Sequence, residues 1–397
     1  MERDVSRTDE QKQQIPLIVS RAAVDYRPDE LFRILRGINI HEVQPPHEDS
    51  LQYILELDQY SFDQSFRYGL GQRSDAAGHI LSAAAYLGNI SLVDYLLAQD
   101  VDVDYRSNVF GQPLRNAALK GHLEIVQLLL HKGADVEGGS HPRTEKERQA
   151  VESRHNKESR EQHIPYLHQL GVTAVEAAAQ KGHRKILQLL LQPRFHISQD
   201  TYRRAFLFAA GGGDVDIFKN IVANIDFNLI SETSRQTLWN QALRHAAYFG
   251  KSEIIPLLLD NKADIENKYT DVAFCTPLAL ATSNGHDQTV LLLLAKGADI
   301  NGGNERPLHT AVCTGFAHTV ELLLDQGAEV HPKNFRYWVR ASWWGEADIV
   351  RIFLKRGLHQ VPGCFDSGKY ALEKAKYDRY EGVLRVYTEF GIAEDGM

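Results

Sequence analysis

The chain has 397 residues, 43% of them hydrophobic and 24% charged, and a formal net charge of −8 from 44 basic and 52 acidic side chains. This is a globular composition, not a disordered one, and its acidic balance argues against a nucleic-acid-binding face. The length suits two or three ordinary domains or one elongated repeat array, and no apolar run reaches the ~18 residues of a membrane span.

In chain order, residues 1–15 read as a charged tail without the apolar stretch of a secretory leader. Residues 16–75 read as a degenerate N-terminal cap and connector, in which Gly37-Ile38-Asn39-Ile40 echoes the "GADI" of later segments and a short helix follows Ser50. Repeated helix pairs fill 76–136 and, after a charged insertion at 137–165, resume over 166–360. The insertion carries both signs densely and lacks large apolar residues until Ile164, which reads as a solvated loop. Residues 361–397 read as C-terminal capping helices. Cys275, Cys313 and Cys364 are odd in number and lack metal-ligand spacing, so a reducing compartment is expected: the cytoplasm by default, with the nucleus as the alternative.

The repeats carry the fold. "GQPLRNAALKGHLEIVQLLLHKGADV" begins at Gly111, "CTPLALATSNGHDQTVLLLLAKGADI" at Cys275 and "RPLHTAVCTGFAHTVELLLDQGAEV" at Arg306. A glycine between two helices recurs at 88, 121, 182, 213, 250, 285, 315 and 345, with spacings of 33, 61, 31, 37, 35, 30 and 30. With that glycine as position 13, positions 6, 9, 10 and 13 share one helical face. Leu114, Ala117, Ala118 and Gly121 illustrate it, small enough for close helix approach. Ile125, Val126, Leu128, Leu129 and Leu130 form the apolar face of the second helix, and Gly133 ends it. No copy buries these faces alone, so the copies must stack. The 37-residue spacing predicts a longer finger near "NLISETSRQ", and Pro256 falls in the first turn of a second helix that starts near Ser252.

These copies resemble ankyrin repeats, whose period is about 33 residues and whose first helix opens T-P-L-H-x-A. The resemblance covers residues 79–357, although the full Thr-Pro occurs only at Thr276-Pro277. It implies an all-α solenoid of stacked helix pairs with hairpin-like finger loops, close to the divergent arrays common in filamentous fungi. It also implies that His122, His183, His286 and His309 are consensus structural histidines, and that partners bind in a concave groove beside the fingers.

No phosphate-binding glycine loop or H-E-x-x-H zinc motif is present, and "GGGD" at 211–214 falls in a turn between helices. No cofactor, metal or catalytic residue is therefore expected. The groove side of each first helix is placed at positions 8, 11 and 12. It offers Trp343 and Trp344, side by side, with Arg340; three copies earlier come Tyr248 and Phe249, with His245 and, one copy before, Phe208. At about 8–10 Å per helix step the two groups lie ~25–30 Å apart, too far for one small molecule. The favoured reading is a monomeric scaffold or adaptor that binds a protein or peptide without catalysis. The basic Arg115, Lys120 and Lys181 lie earlier in its groove. The alternative is a small apolar ligand framed by Gly211, Gly212, Phe208, Arg244 and His245, in a small-molecule-binding protein or a non-classical enzyme of fungal specialised metabolism, with His245 as the acid/base candidate and Arg340 as an anion partner. Neither reading involves nucleic acid or a membrane.

Overall fold

Short helices begin and end where local chemistry dictates. Pro113, Pro277 and Pro307 occupy the first helical position, where the missing N–H costs nothing. The Thr276 hydroxyl caps its helix by accepting from the Ala279 N–H at 3.3 Å. At Gly121 the backbone turns left-handed, with φ +83°, and a Cβ there would lie 2.6 Å from the His183 ring. A side chain would be strained by the backbone and blocked by its neighbour.

The structure is a computed structural model that describes residues 75–106, 111–138, 172–267, 276–303, 306–330, 336–358 and 365–392. The tail, the N-terminal cap and nearly all of the charged insertion lie outside the described residues. Eighteen α-helices, one 3-10 turn and no β-strand occur among the described residues. The described residues form two compact units, those up to Ala205 and those from Phe206 onward.

The first unit holds α1 (Asp75–Leu87), α2 (Ile90–Ala98), α3 (Pro113–Lys120), α4 (Leu123–His131), α5 (Ala174–Lys181) and α6 (Arg184–Leu190). First helices pack on first helices, α1 on α3 on α5, and second helices do likewise, α2 on α4 on α6. Ala117 and Ala118 are fully buried in the inner layer. In the outer layer Ile125, Val126 and Leu129 are buried, whereas Leu128 and Leu130 are only half-buried. The apolar face of α4 is thus narrower than its leucine run suggests, because neighbouring second helices cover only one stripe of it.

The division between units falls within α7 (Gln199–Gly212). The second unit continues with α8 (Val215–Ala223), a 3-10 turn (Phe227–Leu229), α9 (Glu232–Tyr248), α10 (Ile255–Asp260), α11 (Pro277–Ser283), α12 (Asp287–Ala295), α13 (Pro307–Thr314), α14 (Ala317–Asp325), α15 (Arg336–Trp343) and α16 (Ala347–Lys355). The pair α17 (Phe365–Tyr377) and α18 (Glu381–Glu389) closes it. Again α9, α11, α13, α15 and α17 pack in sequence, as do α12, α14, α16 and α18.

The spacing near "NLISETSRQ" is not a finger. Ser231 caps α9, a helix of 17 residues, so the extra length extends the first helix at its N-terminal end. Trp239 on that extension meets Phe206 edge-on at 5.0 Å and stacks on Phe227 at 5.9 Å. An aromatic cluster takes the place of a loop. Pro256 does sit in the first turn of its helix, but α10 starts at Ile255, after a turn through Ser252.

Candidate functional site

The first helices set the geometry of the candidate site. Each has first-helix neighbours and its own second helix to pack against, so little of its circumference reaches water. Position 8 lies inside this packing. Ala83, Asn116, Ala177, Leu280 and Thr310 are buried there, and Phe208 is only 2% exposed. This corrects the placement of Phe208, and of position 8 generally, on the open side. The reason is visible at Asn116, whose amide donates to the Ser82 carbonyl of the preceding copy at 3.0 Å. Position 8 reaches back across the inter-repeat boundary.

Positions 11 and 12 are the open ones. Tyr248 and Phe249 are half-buried, with rings 5.0 Å apart and edge-to-face. Phe249 lies against Gly211, where a Cβ would come within 2.8 Å of its ring. It therefore fills the space expected to frame a ligand pocket. The half-buried His245 ring lies 6.4 Å from Phe249, while Arg244 is buried.

Trp343 and Trp344 are 39% and 48% exposed. Lys374, from the terminal helix pair, stands over the Trp343 ring at 5.7 Å and the Tyr377 ring at 4.9 Å. Its ammonium is pinned by Asp378 at 2.9 Å, a hydrogen bond that raises the Lys374 pKa. Beneath the tryptophans, Ser342 and Tyr387 are buried with their hydroxyl oxygens 3.2 Å apart, joining the last repeat to the closing pair. Trp343 thus borders the closing pair without being covered by it. The guanidinium of Arg340 lies over Trp344 at 5.4 Å.

Arg340 occupies position 8 and, like Asn116, reaches to the preceding copy. Its Nη1 donates to His309 Nε2 at 3.1 Å and to the Cys313 Sγ at 2.8 Å. The repeat pattern marks His309 as a consensus structural residue and gives Cys313 no metal-ligand spacing. Their spacing held the missing signal: positions 7 and 11 are one helical turn apart, and the next copy's position 8 points between them.

The other consensus histidines are structural. The Nε2 atoms of His122, His183 and His286 bond the carbonyls of Tyr86, Leu119 and Tyr248 at 3.1, 3.3 and 2.9 Å. In the first unit, Lys120 stands over the Tyr86 ring at 4.2 Å, and Arg115 is half-buried near Gly111. Lys181 is exposed at position 12. Beside them Glu176 is buried, capping α5 with Thr173 and pairing with Arg204 at 2.7 Å. Among the described residues no helix is long and apolar enough to cross a membrane.

Comparison with known proteins matches this architecture. Residues 206–304 and 243–334 fit the family described as Ankyrin repeats (3 copies), and residues 81–130 fit Ankyrin repeats (many copies). Ankyrin repeats are in general protein-interaction modules. A 70-residue stretch is 41% identical to Ankyrin repeat and KH domain-containing protein 1 of Homo sapiens, covering 18% of this chain and 2% of that protein. A 142-residue stretch is 30% identical to the Transient receptor potential cation channel subfamily A member 1 homolog of Caenorhabditis elegans, covering 35% of this chain and 11% of that protein. The chain thus spans a small part of each relative, and the likeness is one of repeats. Glycine-spaced helix pairs, first-helix and second-helix layers and the histidine bonds between copies accord with those matches: the chain is an ankyrin-repeat protein.

Proposed function

We propose that the protein is a non-catalytic scaffold or adaptor that docks a protein or peptide on the open ends of its first helices, with Trp343 and Trp344 at the centre. One observation carries the reading: two adjacent tryptophans remain 39% and 48% exposed where the fold had buried positions to offer. Large aromatics left in water favour association, and tryptophan is among the commonest interface hot spots. Tyr248 and Phe249 extend the same row of positions. The three cysteines, odd in number and without metal-ligand spacing, favour a reducing compartment such as the cytoplasm. Phe208 is buried in packing and Phe249 covers Gly211, which favours this reading over the small-ligand alternative.

Affinity capture from lysate with the parent chain and with Trp344→Ala tests this. The variant is expected to melt like the parent, within about 0.5 kcal/mol. Leu129→Ala, which empties a fully buried site, is expected to cost about 2–5 kcal/mol. Captured partners should be lost with Trp344→Ala, a change of about 2 kcal/mol or roughly thirtyfold in affinity. Capture that is indifferent to both Trp343→Ala and Trp344→Ala overturns the reading.

A further inference from the structure

Arg340 differs from the part-buried arginines around it. Arg306 has Glu329 at 3.8 Å, Arg351 has Glu389 at 3.0 Å, and Arg356 pairs with Asp325. Arg340 is half-buried as well. Its partners are an imidazole, a thiol and an indole face, and among the described residues no carboxylate lies within ion-pairing distance. Both hydrogen bonds use Nη1 alone, so Nε and Nη2 donate to no protein acceptor among the described residues. A partly desolvated cation without a counter-charge is an electrostatic debt within the protein that a carboxylate would relieve.

From this unmatched charge we infer that the tryptophan face takes an acidic extended peptide, one Asp or Glu side chain of which pairs with Arg340. A planar carboxylate can accept from Nε and Nη2 together, the two-pronged geometry that distinguishes arginine from lysine. An apolar residue beside that carboxylate then lies on Trp344, whose ring already faces the guanidinium. Phosphate is a poorer match. The cation over the neighbouring Trp343 ring, Lys374, is paired with Asp378 at 2.9 Å, so it offers a dianion no second unpaired charge. This inference rests on the docking reading above and names the chemistry of its partner.

The test pans a phage-displayed random dodecapeptide library on the full chain, with Trp344→Ala and Arg340→Gln as parallel baits. The most enriched peptide is then synthesised, with its acidic residue and with the amide in its place, and titrated by fluorescence polarisation. Peptides with Asp or Glu beside an apolar residue are expected to be enriched on the parent. Exchange of that acid for its amide should weaken binding to the parent by about tenfold or more and leave binding to Arg340→Gln nearly unchanged. Enrichment of neutral peptides, or an equal loss on both proteins, overturns the inference. Peptides that need Trp344 but ignore the acid refute the carboxylate site and leave the docking reading standing. If no peptide depends on Trp344, both fall. The peptide-side exchange is read on the parent chain, so it holds even if Arg340→Gln is unstable.

Discussion

At the scale of single residues, burial decides the behaviour of each polar group. Glu176 is 1% exposed and bonded through both carboxylate oxygens, to the Thr173 N–H and to Arg204. Desolvation raises its pKa above the ordinary 4.5, outweighing the lowering by Arg204. A raised carboxyl contributes stability that is full below 4.5 and is lost as pH rises through the folded value. Glutamine keeps the capping geometry and does not ionise. Glu176→Gln is therefore expected to gain in stability relative to the parent as pH climbs from below 4.5 to neutrality. Urea unfolding at several pH values measures this; a relative loss with rising pH shows that the Arg204 pairing dominates. Arg340 shows the same logic from the cationic side: its reach into the preceding copy leaves it half-buried, with no carboxylate in ion-pairing distance among the described residues.

At the scale of elements, stacking is set by pairs of helices and not by their spacing along the chain. The insertion raises the sequence separation of His183 and Leu119 to 64, yet the two bond as their counterparts do at separations of 36 and 38. The helix α5 packs on α3 as α3 does on α1. Deletion of residues 140–162 is therefore expected to cost less than about 1–2 kcal/mol. It spares Glu137, whose carboxylate accepts from the Ser198 N–H at 2.6 Å. Thermal unfolding of the deletion variant is the measurement, and a larger loss shows that the insertion packs on the helices. The periodic glycines, the alanines of the inner layer and the first-turn prolines were all legible, because each answers a local steric demand. The extension of α9 was not: a spacing of 37 is equally satisfied by a loop or by extra helical turns. The aromatic contacts of Trp239 accompany the helical choice.

At the scale of the whole molecule, an array needs closed ends, since every inner copy leaves an apolar face for the next. Val383, Val386 and Tyr387 of α18 are buried, as are Ala371 and Ala375 of α17. A chain truncated before Phe365 loses these and uncovers Ala341 and Ser342. At about 1.5–3 kcal/mol for each large apolar side chain returned to water, the loss is expected to reach several kcal/mol. Thermal unfolding with light scattering should show a lower melting point and association of the truncated chain. Parent-like melting without association shows that the last repeat is stable alone.

The repeat period, the all-α class and the inner-layer alanines were determined by the sequence alone, because helix faces and glycine turns are short-range properties that every copy restates. The openness of Trp343 and Trp344 also followed from helical angle. What only the tertiary structure decided was the direction of position 8. Helical angle places Phe208, His245 and Arg340 alike, but neighbours on either side turn that position toward the preceding copy. Phe208 is buried there, His245 is half-buried, and Arg340 meets His309 and Cys313. Contacts between successive copies depend on which helices adjoin, and a helical projection of one copy contains no neighbour.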